Sequence, residues 1–496
     1  MGKGMKKTAP ARAMKKPACT KKTEVKAKKR KVTPMTMTKF VLSQFIDYML
    51  KVLSPAAESW VQPETALRWS SAFDGLNTPG YVLQALLGKG SSHAWGAEIA
   101  PAAAAWSLRR GRPGHLYEDR CAAKDVAHTC DAAGGWCNKH GQRCALEPGG
   151  ELFIAGWVCK DSSVQNAAKR YKQDPTNSET SVSEATFQQA VSSILHNKPK
   201  FFILENVLGV RKPVKKKAED EQEPVRRATP LDHYMAVLTG LHDGAYQVAA
   251  VDVSSRPLPE KRERVYILGT LRSSGAYQAD KWAEEVMLLE KQASTMPVHH
   301  LRTMGIGKGS GNPKPDAKGE KKVEEFNQWQ FESEYHERFA SVLTSAMDAG
   351  KIPKDTDVPR VVDRPSQKLQ GLVGATAWQL ANADVLHMML EAQLKSDYIP
   401  DPLPLADISQ SAAWGKICCT GEWFTLTTAT RILDFTTGKI LSPSLHFQML
   451  GYMPEDVKDE MLKFWSDKEL YDMTGNTMSV AALVKVLLPF VHQRQL

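Results

Sequence analysis

Ile154-Ala155-Gly156-Trp157-Val158-Cys159-Lys160-Asp161-Ser162-Ser163 and, further along, Phe201-Phe202-Ile203-Leu204-Glu205-Asn206-Val207 are two short apolar runs, each ending on a reactive side chain. Runs of this length, rich in branched and aromatic residues and bounded by polar ones, predict buried strands. A cysteine past the end of one strand and a glutamate near the end of the next bring a nucleophile and an acid to the same edge of a sheet.

Outward from these runs, from about 68 to 270, short β-rich segments alternate with Ala- and Leu-rich helical ones. That is the rhythm of a mostly parallel α/β sheet. Strand candidates end near Phe73, Ala97, Tyr117, Val158, Leu204, Val253 and Leu268. Before them, Thr38 to Leu53 carries apolar residues at helical spacing and stops at Ser54-Pro55. Two polar insertions, 121–150 and 211–228, interrupt the alternation, and a Gly-, Lys- and Pro-rich linker covers 304–322. Helical patterns follow at about 331–349 and 376–396, then an apolar block at 416–496. Within the linker, Gly305-Ile306-Gly307-Lys308-Gly309-Ser310-Gly311 imitates a phosphate loop. It lacks the glycine four residues before the Gly-Lys pair and has neither a strand before it nor a helix after it, so it reads as linker.

The 496 residues have room for two or three domains, and 42% hydrophobic residues indicate a globular body. No stretch approaches the roughly 20 apolar residues of a membrane span, which speaks against a membrane partner. The net charge of +10 is uneven. Residues 1–32 hold thirteen Lys or Arg against Glu24 alone, leaving 52 basic and 54 acidic residues in the remainder. Such a tail cannot build a core, so disorder is expected. Its Lys28-Lys29-Arg30-Lys31-Val32 cluster resembles a nuclear import signal, and it also suits an unspecific phosphate-binding arm; both readings put the chain near nucleic acid. Eight cysteines are ordinary usage for a reduced, intracellular protein, which leaves thiols available as nucleophiles or ligands.

The first β-to-α turn contains Phe73-Asp74-Gly75-Leu76-Asn77-Thr78-Pro79-Gly80, the next strand end carries Glu98, and the third carries Glu118-Asp119. Glycine-rich and acidic strand ends in succession point to a nucleoside-containing cofactor, against the plainer reading of solvated strand ends. Together with Val158-Cys159-Lys160-Asp161-Ser162-Ser163, Glu205-Asn206-Val207, the stretch Pro259-Glu260-Lys261-Arg262-Glu263-Arg264-Val265-Tyr266, the block Leu441 to Pro454 and Gly475-Asn476-Thr477-Met478, these residues resemble the ordered motifs of cytosine-C5 DNA methyltransferases.

The resemblance implies a class I methyltransferase fold, Rossmann-like, with an inserted smaller target-recognition domain. It implies S-adenosyl-L-methionine as cofactor and double-stranded DNA as partner. Cys159 would attack C6 of a flipped cytosine, Glu205 would bind ring N3 and the exocyclic amine, and Arg262 and Arg264 would hold the base carbonyl and its surroundings. Phe73 would stack on the adenine with Asp74 and Gly75 beside it, Glu98 would bind the ribose and Asp119 the adenine, and Asn476 would belong to the returning terminal segment. The implied partition is a tail at 1–35, catalytic residues 36–275, a target-recognition region at 276–415 and a return at 416–496. RNA is the less favoured substrate, because the Cys-Phe-Thr tripeptide of the tRNA-directed branch is replaced by Ile417-Cys418-Cys419-Thr420-Gly421. A catalytically weak DNA-binding module is the non-enzymatic rival.

The chain departs from the family pattern at four places: Val158 stands where proline usually precedes the nucleophile, Lys160 where Gln or Asn follows it, Glu260 where Gln is usual, and Pro79 is extra. Cys121, Cys130, Cys137, His140 and Cys144 crowd the first insertion without tight Cys-x-x-Cys knuckles, so no metal site is assigned.

Overall fold

The computed structural model describes residues 40–64, 66–118, 135–145, 147–163, 176, 181–213, 229–275, 277–298, 301, 328–360, 376–397, 399 and 402–494. All of them belong to the unit Pro34–Leu496. The basic tail, Asp119, Cys121, Cys130 and the 305–311 stretch lie outside these residues.

The apolar runs form a nine-stranded sheet in the order β5-β4-β3-β2-β1-β6-β7-β10-β8. Its strands are β1 (Leu67–Ala72), β2 (Ser91–Ala97), β3 (His115–Tyr117), β4 (Gly135–Cys137), β5 (Gln142–Cys144), β6 (Leu152–Gly156), β7 (Phe201–Val207), β8 (Tyr246–Ser254) and β10 (Glu263–Leu271). The centre, β3-β2-β1-β6-β7, is parallel, and its strands are buried on both faces as continuous apolar runs require. β10 lies antiparallel between β7 and β8, while β4 and β5 make an antiparallel hairpin at the far edge. The order reverses at β1, and ligands of such sheets bind outside the carboxyl ends of the strands at the reversal.

Helices α1 (Leu42–Leu53), α2 (Thr78–Leu87), α3 (Pro101–Arg110), α4 (Val182–Asn197), α5 (Pro230–Gly244) and α6 (Ala279–Ser294) accompany this sheet. The extra Pro79 falls in the first turn of α2, where its missing N–H costs no intrahelical bond. Trp282 of α6 donates from Nε1 to the Val486 carbonyl at 2.8 Å, within the last helix, α11 (Val480–Gln493). α11 is buried along most of its length, Lys485 included. The Lys485 ammonium donates to Glu290 Oε2 at 2.6 Å and to the Ser254 carbonyl at 2.7 Å, so a buried cation rivets the last helix to α6 and β8. No single described helix is long and apolar enough to cross a membrane.

A second core lies between residues 335 and 440. There α7 (Gln328–Asp348) and α8 (Ala377–Ser396) pack on a small sheet, β12-β11-β14-β15, made from Leu405–Asp407 (β11), Ile417–Cys418 (β12), Ile432–Asp434 (β14) and Lys439–Ile440 (β15). α6 packs with the large-sheet layer, and the strands at 417–440 join the second core. The chain rejoins the large layer with α9 (Pro443–Met449), α10 (Asp467–Gly475) and α11. The two cores are stitched by β9 (Glu260–Lys261), which pairs in parallel with β13 (Trp423–Phe424).

Candidate active site

A cleft of about 350 Å³ opens at the sheet reversal. Its wall runs from Ser71–Asp74 through Thr78 and Pro79, across Ile154–Gly156 to Glu205, and closes on Asn476–Met478. On one side the backbone itself makes the site. Phe73, Gly75 and Asn77 all take left-handed φ values, 57°, 51° and 51°. A phenylalanine in that region stores strain of about 1–3 kcal/mol, sustained only by surroundings that fix it. Those surroundings are visible. Asp74 N–H donates to the Ala97 carbonyl at 3.2 Å. Glu98 takes the Gly75 N–H on one oxygen and the Ala100 N–H on the other, both at 2.7 Å. Burial pushes the Glu98 carboxyl above its ordinary value, and the backbone amides of Ala100, Gly75 and Ile99 oppose the shift. Asp74, buried nearby, is pushed up to about 7 by burial and by the Glu98 charge, against the Ser71 and Ser107 hydroxyls. Its Oδ1 has no hydrogen-bond partner among the described residues. Asn476 is exposed, and its carbonyl faces the place where a Gly75 side chain would begin. Thr477, Thr78 and Tyr452 share a chain of hydroxyls at 2.6 and 2.7 Å that ties the returning segment to α2.

On the other side, strand register makes the site. β6 and β7 pair Gly156 with Glu205, and β10 pairs Tyr266 with Glu205 and Arg264 with Val207. Glu205 and Arg264 thus meet as neighbours, with Nε and Oε1 2.9 Å apart and both side chains largely buried. Arg262 Nη1 donates to the Leu426 carbonyl at 3.4 Å and lies 3.5 Å from Glu260 Oε1, while its Nε is buried with no partner among the described residues. Glu260 also accepts the Leu426 N–H at 2.8 Å, so this residue anchors the arginine hairpin to the second core.

Cys159 stands in the loop after β6. Asn206 Nδ2 donates to the Trp157 carbonyl at 3.3 Å, and the Ser162 and Ser163 amides donate to the Cys159 carbonyl at 3.1 and 2.9 Å. Asp161 accepts from Ser181 Oγ at 2.8 Å and from the Ser183 N–H at 3.1 Å, which fastens the loop to the start of α4. Val158 has an N–H that proline would lack, and it donates to Thr186 Oγ1 at 3.2 Å. A hydrogen bond therefore restrains the backbone where a ring would otherwise do so. Burial raises the Cys159 thiol above its ordinary value; Arg264 pulls it down, Glu205 pushes it up, and Arg262 pulls it down. Gly156 lies between the two sides, where a Cβ would sit 2.8 Å from Met478 Cε and 3.2 Å from Glu205 Oε2, so a larger residue would displace the ends of those side chains.

Phe73, Asp74, Gly75, Glu98 and Asn476 thus surround one end of the fold's reversal point, and Cys159, Glu205, Arg262 and Arg264 the other. Asp119 lies outside the described residues, although the Glu118 N–H ahead of it is held by the Trp136 carbonyl at 3.0 Å. Sequence reading assigned no site role to Thr186, Thr78, Thr477 and Met478. Thr78, Thr477 and Met478 lay inside quoted motifs, but the contact of Thr186 with Val158 has no sequence signal. Cys137, His140 and Cys144 come together with His115, a residue outside the expected cysteine cluster.

Among solved structures, S. pombe Dnmt2 methyltransferase aligns at 12% identity over 87% of this chain and 100% of its own, with a TM-score of 0.40. A protein described as a DNA modification methyltransferase encoded within an E. coli prophage aligns at 13% identity over 86% and 99%, with a TM-score of 0.44. No curated protein matches the chain. Residues 146–341, which include Cys159, Glu205, Arg262 and Arg264, match the C-5 cytosine-specific DNA methylase family, whose enzymes transfer a methyl group from S-adenosylmethionine to cytosine. The similarity to a C-5 cytosine-specific DNA methylase domain thus spans residues 146–341, less than half of the chain.

Proposed function

We propose that this protein methylates C5 of cytosine in double-stranded DNA, through a covalent bond between Cys159 Sγ and C6 of the base. The observation that carries the reading is the convergence of a restrained thiol, a buried carboxylate and two guanidinium groups at the end of the cleft. Glu205 and Arg262 are 8% and 5% exposed, too recessed for a base stacked in a duplex. The target must therefore leave the stack.

C5 of an aromatic cytosine is a poor nucleophile. The thiolate of Cys159 donates its electron pair to C6, and the displaced C5–C6 π pair makes C5 electron-rich. Glu205 holds the proton shared with N3 and accepts from the exocyclic amine, which stabilises the adduct. Burial raises the Cys159 thiol, and the neighbouring Arg264 and Arg262 oppose that shift and favour the thiolate. Arg262, with its free buried Nε, suits the base carbonyl. Once C5 has bonded the methyl group, loss of its proton returns an electron pair to the C5–C6 double bond and expels the Cys159 thiolate.

The cleft residues fit S-adenosylmethionine. Each Glu98 oxygen accepts one amide and keeps a lone pair for a ribose hydroxyl, Phe73 lines the cleft for the adenine, and the orphaned Asp74 Oδ1 suits a cationic group. Bound there, the cofactor supplies an electrophilic methyl group. The family's assignment to DNA and the thirteen basic residues of positions 1–32 support a DNA substrate and, with Lys28-Lys29-Arg30-Lys31, work in the nucleus.

The test is trapping. Incubation with the cofactor and a duplex carrying 5-fluorocytosine yields a denaturation-resistant adduct, which Cys159→Ala abolishes along with turnover, a loss on the order of 10⁴-fold or more. An adduct with fluorocytosine tRNA alone would move the substrate to RNA, and no adduct with either would end the enzymatic reading.

A further inference from the structure

At the edge of the sheet farthest from β8, four side chains converge that the methyl-transfer site does not use. His115 comes from β3, Cys137 from the end of β4, His140 from the turn that follows, and Cys144 from the end of β5. One ligand atom from each lies within 4.8 Å of all the others. His140 Nδ1 is 3.5 Å from Cys137 Sγ and 3.4 Å from Cys144 Sγ. Around a tetrahedral zinc, bonds of about 2.3 Å to sulfur and 2.0–2.1 Å to nitrogen separate sulfur from nitrogen by about 3.6 Å. The two edges from His140 to the sulfurs are therefore close to those of a tetrahedral site. The rings of His115 and His140 stand nearly perpendicular, with centroids 4.7 Å apart, so both converge on one point without stacking. The buried Nδ1 of His115 has no hydrogen-bond partner among the described residues.

Apart from these side chains the hairpin is held mainly by hydrogen bonds. β4 and β5 are three residues each, β4 is in register with β3 at Tyr117 and Cys137, and the Glu118 and Asn138 amides donate to the Trp136 and Leu116 carbonyls at 3.0 and 2.7 Å. Trp136, the largest side chain of the hairpin, is 47% exposed. A two-stranded hairpin with so little buried surface is marginal in water. Two thiolates and two imidazoles form a borderline-soft set suited to zinc, and four protein ligands leave no open position for catalysis.

We propose that His115, Cys137, His140 and Cys144 bind one structural zinc ion, which staples the β4–β5 hairpin to β3. The staple also steadies the cofactor side of the cleft, because the Tyr117 carbonyl of β3 receives the Glu98 N–H at 3.0 Å.

The full-length chain, purified without chelator, is expected to contain about one zinc per molecule by atomic emission. Replacement by Co²⁺ should give the visible bands of a tetrahedral site and a thiolate-to-cobalt charge-transfer band sized for two sulfurs. Cys137→Ser/Cys144→Ser should lose the metal, whereas Cys121→Ser/Cys130→Ser should keep it. His115→Cys retains a four-ligand set and should raise the charge-transfer intensity by about half, as a third thiolate joins the ion; this result does not depend on a variant that has lost its metal remaining folded. A chain that takes up no stoichiometric zinc or cobalt would overturn the assignment. So would retention of metal by Cys137→Ser/Cys144→Ser, its loss from Cys121→Ser/Cys130→Ser, or an unchanged charge-transfer band in His115→Cys.

Discussion

The two sides of the cleft are built by opposite means. On the side proposed for the cofactor, a carboxylate is spent on backbone: Glu98 accepts two amides, and the turn it holds contains three left-handed residues. On the base side, charged groups are spent on one another: Glu205 pairs with Arg264, and both act on the Cys159 thiol. A shape made by backbone fails when its anchor goes, because buried amides lose their acceptors. A field made by paired side chains can lose a member and leave the strands where they are. Changes on the first side should therefore register as stability and cofactor affinity, and changes on the second as rate and pH dependence.

The sharpest probe of this contrast is Glu205→Gln. It keeps the strand and the approximate shape but removes the charge, so turnover should fall by about 10²–10³-fold while the unfolding midpoint holds. The same change should lower the Cys159 pKa, since the negative neighbour is gone and both arginines remain. In the unsubstituted protein the thiol sits above its ordinary value, so alkylation by iodoacetamide should be slow at neutral pH and climb about tenfold per pH unit into the alkaline range. Glu205→Gln should alkylate faster at any given neutral pH while methylating more slowly. A parallel fall in both rates would show that the carboxylate serves shape rather than field.

Glu98→Ala should do the reverse. Two part-buried amides lose their acceptor, at about 0.5–1.5 kcal/mol each, so the melting midpoint and the affinity for S-adenosylmethionine should drop together. The pH dependence of Cys159 alkylation should be unmoved. Equilibrium binding and thermal unfolding measure both halves, and a variant that loses affinity at full stability would remove Glu98 from its role as anchor.

The smallest expected effect lies where the two kinds of construction meet. Thr186→Val should cost about 1 kcal/mol by orphaning the Val158 N–H, and should slow turnover more than it weakens cofactor binding. Val158→Pro in the same background removes the orphaned donor and should recover part of that loss. Additivity of the two changes in a double-mutant cycle would mean that the hydrogen bond is not what positions the nucleophile.

The central strands and the ends that carry Cys159, Glu205 and Glu98 were legible in the sequence, because buried parallel strands must be continuous apolar runs and their ends must be polar. The boundaries of the smaller core were not. Apolar periodicity says that a helix has a buried face but not which core receives it; only the structure places α6 against α11 and the strands at 417–440 in the second core. His115 went unnoticed as a companion of Cys137 for a similar reason. It belongs to a different strand, and only the pairing of β3 with β4 brings the two together.

Order along the chain thus determined the sheet, the reversal point and the order in which the nucleophile, carboxylate and arginines arrive there, since each is a property of a local run and its end. Tertiary structure alone decided which charges are neighbours, which amides each carboxylate holds, what replaces the missing proline and where a fourth metal ligand comes from. Those are distances between segments remote in sequence. They are set by strand register and helix packing, which no local pattern encodes.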